Sequence, residues 1–155
     1  MWRELVEAGD GIGVLLADPA PDGALADAAR ALGSALPENL AGLLTEMDGI
    51  KDQYGFGIVW SVREIVDRNL QMRETEDFAD LYMSFDGLLF FGDIGDGDLV
   101  AMRVLRGATP DDVYLWDHET DSRVGVAAGL EKFLLRQLRG WMADSDNPMS
   151  RRTGR

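Results

Sequence analysis

Leu88-Leu-Phe-Phe-Gly-Asp-Ile-Gly-Asp-Gly-Asp-Leu-Val-Ala-Met-Arg-Val104 is the stretch whose reading decides the fold. Leu88 to Phe91 are four consecutive large apolar residues, which suits a strand covered on both faces. Between Gly92 and Asp98, three glycines and three aspartates supply the chemistry of a chain reversal. From Asp98 to Val104 polar and apolar positions partly alternate, so the second strand is expected to keep one face nearer water. The stretch reads as strand, turn, strand.

Working outward toward the C-terminus, residues 107–112 read as a loop. Residues 113–117 and 123–126 form a second strand pair around a polar turn at 118–122. Leu130, Phe133, Leu134, Leu138, Trp141 and Met142 then recur at helical spacing, a face that can dock on a sheet.

Toward the N-terminus, Arg73 to Asp80 is too polar for core. Ser61 with Glu64 three residues on makes a capping box, so a helix runs from Val62 to about Met72 and buries Val62, Ile65, Val66 and Leu70. Ile58 to Trp60 is a strand, and residues 50–57 before it form a turn or mobile segment. Pro37 suits the first turn of a helix, and Glu38 suits the positive end of its dipole. That helix carries Leu40, Leu43, Leu44 and Met47 and closes at Gly49.

Asp22 is the N-cap and Gly33 the left-handed C-cap expected for a helix over 24–32 with Leu25, Ala28, Ala29 and Leu32 inside. Trp2, Leu5 and Val6 give a short first helix. The expected fold is a single α+β domain over residues 1–143, a mixed, mostly antiparallel sheet flanked by helices. Residues 144–155 have no apolar pattern and read as a disordered tail.

A chain of 155 residues buries about 70% of its unfolded surface as one domain, without staples. Having no cysteine, it excludes disulfides, thiolate nucleophiles and Cys-ligated zinc. Its first residues show no basic flank followed by an apolar core, and no window approaches a membrane span. The expected location is therefore the cytoplasm.

A net charge of −13 repels nucleic acid and anionic membranes and attracts basic proteins. The charge is uneven. Glu74, Glu76, Asp77, Asp80, Asp86, Asp93, Asp96 and Asp98 fall between residues 74 and 102 with no lysine or arginine among them. A solvated face accounts for such a run as readily as a recognition surface does.

Several chemical readings fail on spacing. Asp93, Asp96 and Asp98 occupy relative positions 1, 4 and 6, whereas a calcium loop needs oxygens at 1, 3 and 5 and a glutamate at 12, where this chain has Val104. A charged hairpin that discourages edge pairing fits better. Gly92, Gly95 and Gly97 lead into a strand, not into the helix N-terminus that a phosphate loop requires. His118 is the single histidine, and no serine sits in a Gly-x-Ser-x-Gly context, so it reads as a turn residue. No metal, cofactor or catalytic residue is expected. Trp60, Trp116, Phe90, Phe91 and Tyr114 read mainly as core, with Trp60 and Trp116 near strand ends as the two candidates for exposure.

The order of signals carries a resemblance. Ala-Leu-Gly-Ser-Ala-Leu-Pro-Glu-Asn-Leu40 leads into Leu-Leu-Thr-Glu-Met-Asp-Gly49, followed by a strand and Ser-Val-Arg-Glu-Ile65. Leu-Phe-Phe-Gly-Asp-Ile-Gly-Asp-Gly-Asp98, Val-Tyr-Leu-Trp-Asp-His-Glu119 and a closing amphipathic helix complete the series. Over about residues 24–140 this resembles the SUKH superfamily, which includes bacterial immunity proteins and fungal cell-wall regulators. Two departures are Asp48-Gly49 at the helix stop, where Asn-Gly is commoner, and Ala28 and Ala29 where relatives carry larger or acidic residues.

The resemblance implies a non-catalytic domain that binds proteins. The leading expectation is an immunity protein that neutralises a cognate toxin, a basic nuclease-type one, by direct binding. The expected partner-binding residues are Glu74, Glu76, Asp77, Asp80, Asp93, Asp96 and Asp98, with Trp60 and Trp116. The alternative is an intracellular scaffold or regulator with no toxin partner.

Overall fold

The computed structural model describes residues 1–8, 14–94, 97–104 and 110–138. In chain order these form α1 (Trp2–Ala8), β1 (Leu15–Leu16), α2 (Ala24–Leu32), α3 (Glu38–Glu46), β2 (Ile50–Lys51), β3 (Gly57–Val59) and α4 (Val62–Glu74). There follow α5 (Glu76–Leu81), β4 (Leu88–Asp93), β5 (Leu99–Arg103), β6 (Val113–Trp116), β7 (Arg123–Ala127) and α6 (Leu130–Leu138). The architecture is α+β. Its strands are divided between a three-stranded sheet ordered β1-β2-β3 and a four-stranded meander ordered β4-β5-β6-β7. All described pairings are antiparallel.

The sheets meet where the Trp60 N–H donates to the Phe91 carbonyl at 2.7 Å. This approach is possible because residue 92 is glycine. A Cβ there would collide with the Ile58 carbonyl oxygen and lie 3.1 Å from that of Gly57.

Phe90 and Phe91 show why the opening stretch is so apolar. Neighbours in a strand point to opposite faces. Phe90 meets Phe85 and Trp116 with centroids 5.3 and 5.6 Å away, whereas Phe91 meets Phe133 of α6 at 5.7 Å. Both faces of β4 are therefore covered. The wet face expected for the second strand is absent: Leu99, Val100, Ala101 and Met102 are all buried in the core cluster and Arg103 alone of the strand is exposed.

Helix α4 has the expected capping box. Ser61 Oγ accepts from the Glu64 N–H while Glu64 accepts from the Ser61 N–H. Asp48 joins that cap by accepting from the Val62 N–H at 2.8 Å, so the carboxylate at the Asp48-Gly49 position sits at the positive end of α4. Of the four residues expected inside α4, Val62 and Ile65 are buried and Val66 and Leu70 half-buried. Asn69 and Met72 complete the buried stripe.

Other boundaries differ locally. Gly23, at φ +82°, occupies the N-cap of α2, and no side chain caps there, so Asp22 does not. Pro37 sits just before α3 in extended backbone, at ψ 140°. That helix ends at Glu46, and Gly49, at φ +110°, serves the turn into β2. The segment expected as a turn before Ile58 contains β2, a tight turn and the start of β3. Trp141, Met142 and the tail at 144–155 lie outside the described residues. Among those described, no helix is long and apolar enough to cross a membrane.

Candidate protein-binding surface

The acid-rich segment folds as the end of α4, then α5, then a short loop into β4. Phe78 and Tyr82, one helical turn apart, turn inward with their rings 5.5 Å apart. Tyr82 continues into the core, edge-on to Trp116 at 5.0 Å and 5.8 Å from Phe85. Asp77, Asp80 and Leu81 take the outer side and are exposed. Leu81 and Met83 leave 68% and 71% of their area in water, two exposed apolar side chains within a segment that also exposes Glu74, Asp77, Asp80 and Asp86.

The loop is held from β7. Arg123 Nη1 donates to the Ser84 carbonyl at 2.9 Å and Nη2 to the Met83 carbonyl at 2.8 Å, and its guanidinium lies 5.2 Å from the Phe85 ring centroid. Asp121 binds the same loop from the next turn, accepting from the Met83 N–H, the Trp116 indole and Arg123. Burial works against its charge, yet those three donors outweigh it and hold its carboxyl below the usual range. Between this loop and α4 lies a cavity of about 220 Å³. Its lining is mixed: Met72, Phe78, Tyr82, Met83 and Phe85 supply the apolar side, and Arg73, Ser84 and Asp86 the polar one.

The expected binding residues fall into distinct environments. Glu74, Asp77 and Asp80 are exposed on one segment. Asp93 is half-buried and accepts from the Trp60 indole at 3.0 Å. Asp98, Trp60 and Trp116 are buried to 2%, 2% and 4% exposure, which withdraws them from the surface. Trp60 is enclosed by Arg68, whose guanidinium stacks 4.8 Å from the ring, and Trp116 by Tyr82 and Phe85. Glu76 begins α5, and Asp96 lies outside the described residues. Asp86, Leu81 and Met83 are exposed on the acid-rich segment although the binding-residue expectation omits them. Apolar side chains inside an acid run were the available signal.

Asp98, Asp117 and His118 bring one ligand atom each to within 4.8 Å of the others. Hydrogen bonds explain that cluster. Asp98 Oδ1 lies 2.7 Å from His118 Nδ1 and accepts from the His118 N–H, while Asp117 Oδ1 accepts from the Glu119 and Thr120 N–H groups. The Asp98 hydrogen bond raises the His118 pKa above its usual 6.5 against the opposing effect of burial. The arrangement fastens the β6–β7 turn to the start of β5.

A family model described as SMI1-KNR4 cell-wall matches residues 22–134, well over half of the chain. The chain belongs to this family of the SUKH superfamily. No curated protein matches it.

Proposed function

We propose that this is a non-catalytic, cytoplasmic protein-binding domain that neutralises a basic partner, an immunity protein for a cognate toxin of the basic nuclease type. One observation carries the reading: Glu74, Asp77, Asp80 and Asp86 are all exposed on the same segment as the exposed Leu81 and Met83, with no lysine or arginine between residues 74 and 86. Apolar contact enclosed by polar groups is how stable protein interfaces are composed. Uniform negative charge speeds encounter with a positive surface and disfavours other partners. Members of the superfamily include immunity proteins, which supports the same reading.

Within the meander, Asp93 and Asp98 contribute field more than contact, since Asp98 is buried and Asp93 is bonded to Trp60. The test is co-expression with the product of the adjacent gene, scored by growth rescue and co-purification, beside an Asp77→Asn, Asp80→Asn, Asp86→Asn variant. Rescue by the native protein and failure by the folded variant support the proposal. Absence of both rescue and binding favours a regulatory role without a toxin.

A further inference from the structure

We propose that the cavity beneath α5 is the anchor pocket of this surface and takes one aliphatic or aromatic side chain from a basic segment of the partner. This rests on the acidic-face reading and adds the chemistry of the contact. Phe78, Tyr82 and Phe85 supply an apolar wall, and Met83 stands at the mouth, largely in water. The wall is already built: the rings of Phe78, Tyr82, Phe85 and Trp116 run in contact into the core, and Arg123 fixes the backbone of Met83 and Ser84. A preformed pocket loses little entropy when filled, which is the condition for one side chain to carry much of an affinity.

The flanking chemistry is set by charge. Asp86 lines the cavity, and Asp77 and Asp80 lie on the outer side of the helix whose inner side forms the wall. Arg73, the cation among the lining residues, directs Nη1 and Nη2 to the Leu32 and Leu88 carbonyls at 3.1 and 3.4 Å. The wall of Phe78, Tyr82, Met83 and Phe85 selects an uncharged entering side chain, and the exposed Asp77, Asp80 and Asp86 select lysine or arginine as its neighbours in the partner. A partner offering cations without an apolar side chain, or an apolar side chain among acids, meets only half of the surface.

The experiment uses the full chain and three blocked pentapeptides: Lys-Arg-Phe-Arg-Lys, the same peptide with serine replacing phenylalanine, and the same peptide with glutamates replacing the four cations. Calorimetry gives the affinities, and NMR reports shifts at Phe78, Tyr82 and Met83. The expected result is that the first peptide binds about tenfold or more tightly than the second, from burial of one aromatic side chain, and that the third does not bind. Ser84→Trp, which fills the cavity from its rim, removes the preference and leaves the weaker salt-dependent binding. Met83→Ser alters an exposed side chain and lowers the preference without unfolding risk.

Equal binding of the first two peptides overturns the pocket and leaves the acidic face standing. Equal binding of the phenylalanine peptide with cations and with glutamates overturns the basic partner while keeping an apolar pocket. No binding by any peptide overturns the anchor, and the co-expression test then judges the face separately.

Discussion

His118 Nδ1 lies 2.7 Å from Asp98 Oδ1, although 20 positions separate the two residues in the chain. The pairing of Leu99 with Trp116 across β5 and β6 brings them together. The same Asp98 oxygen also accepts the His118 backbone N–H at 3.1 Å, and the His118 carbonyl takes the Tyr82 hydroxyl at 2.8 Å. His118 thus ties together the start of β5, the β6–β7 turn and the end of α5. The ring packs on Gly97, where a Cβ would lie 2.9 Å from its Cε1.

This contact gives stability a defined pH dependence. Asp98 raises the folded pKa of His118, so the charged imidazole contributes fully below its unfolded value near 6.5 and loses that contribution as pH rises through the folded value. The melting temperature of the native protein should exceed that of His118→Gln at pH 5.5, with the gap narrowing above pH 7. A gap that widens with pH would contradict this sign. Asp98→Asn should cost about 1–3 kcal/mol at pH 6, because the buried carboxylate that accepts from His118 becomes a neutral amide.

Glu46 shows the opposite sign. Its carboxylate accepts from the Arg3 and Trp2 N–H groups, each at 3.1 Å, at the start of α1. Those bonds, the Arg3 one first, lower its pKa from 4.5 to about 2. The contribution is present above pH 4.5 and disappears as pH falls toward 2. Glu46→Gln should be less stable at pH 7 and equal to the native chain near pH 2, with the loss most visible as early exchange of the α1 amides.

Much of the fold was legible because apolar runs and capping pairs are local. Leu88 to Phe91, the Ser61–Glu64 box and the Leu40, Leu43, Leu44, Met47 stripe each state their structure within a few residues. β1 and β2 are two residues each, too short for a period to show. α5 is six residues, and its inward Phe78 together with the C-cap Tyr82 finds its apolar neighbours only when Trp116 arrives from a distant position. Charge was the least legible feature. Asp80 and Asp98 are the same residue type in one acid run, yet the first is exposed and the second is enclosed by strand pairing that composition does not express.

Asn69 was readable in principle, since it falls four residues after Ile65 on the buried stripe of α4. Its Nδ2 donates to the Ile65 carbonyl at 2.7 Å and the Phe90 carbonyl at 2.8 Å, and its Oδ1 accepts from the Phe90 N–H at 2.9 Å. Both backbone groups of Phe90 are thus satisfied by one side chain. Asn69→Ala should cost about 2–4 kcal/mol in urea unfolding, because buried backbone groups lose their partner. A cost below 1 kcal/mol would mean that water replaces the amide.

Gly92 makes the sharpest demand on residue type. The backbone of β4 approaches that of β3 there, and the Ile58 carbonyl occupies the space that a Cβ would take. The obstruction is backbone on both sides, so no rotamer change relieves it. Gly92→Ala should separate the sheets at the Trp60–Phe91 hydrogen bond and cost about 3 kcal/mol, the upper end of overpacking penalties. Gly33→Ala is the control. It carries φ +80° with no atom within 4 Å of the new Cβ, so only left-handed strain of about 1–2 kcal/mol applies. Urea midpoints should fall further for Gly92→Ala than for Gly33→Ala, and faster exchange of the Trp60 amide should appear in the first alone. Equal losses, with the Trp60 amide unchanged, would show that the two sheets are not joined through this contact.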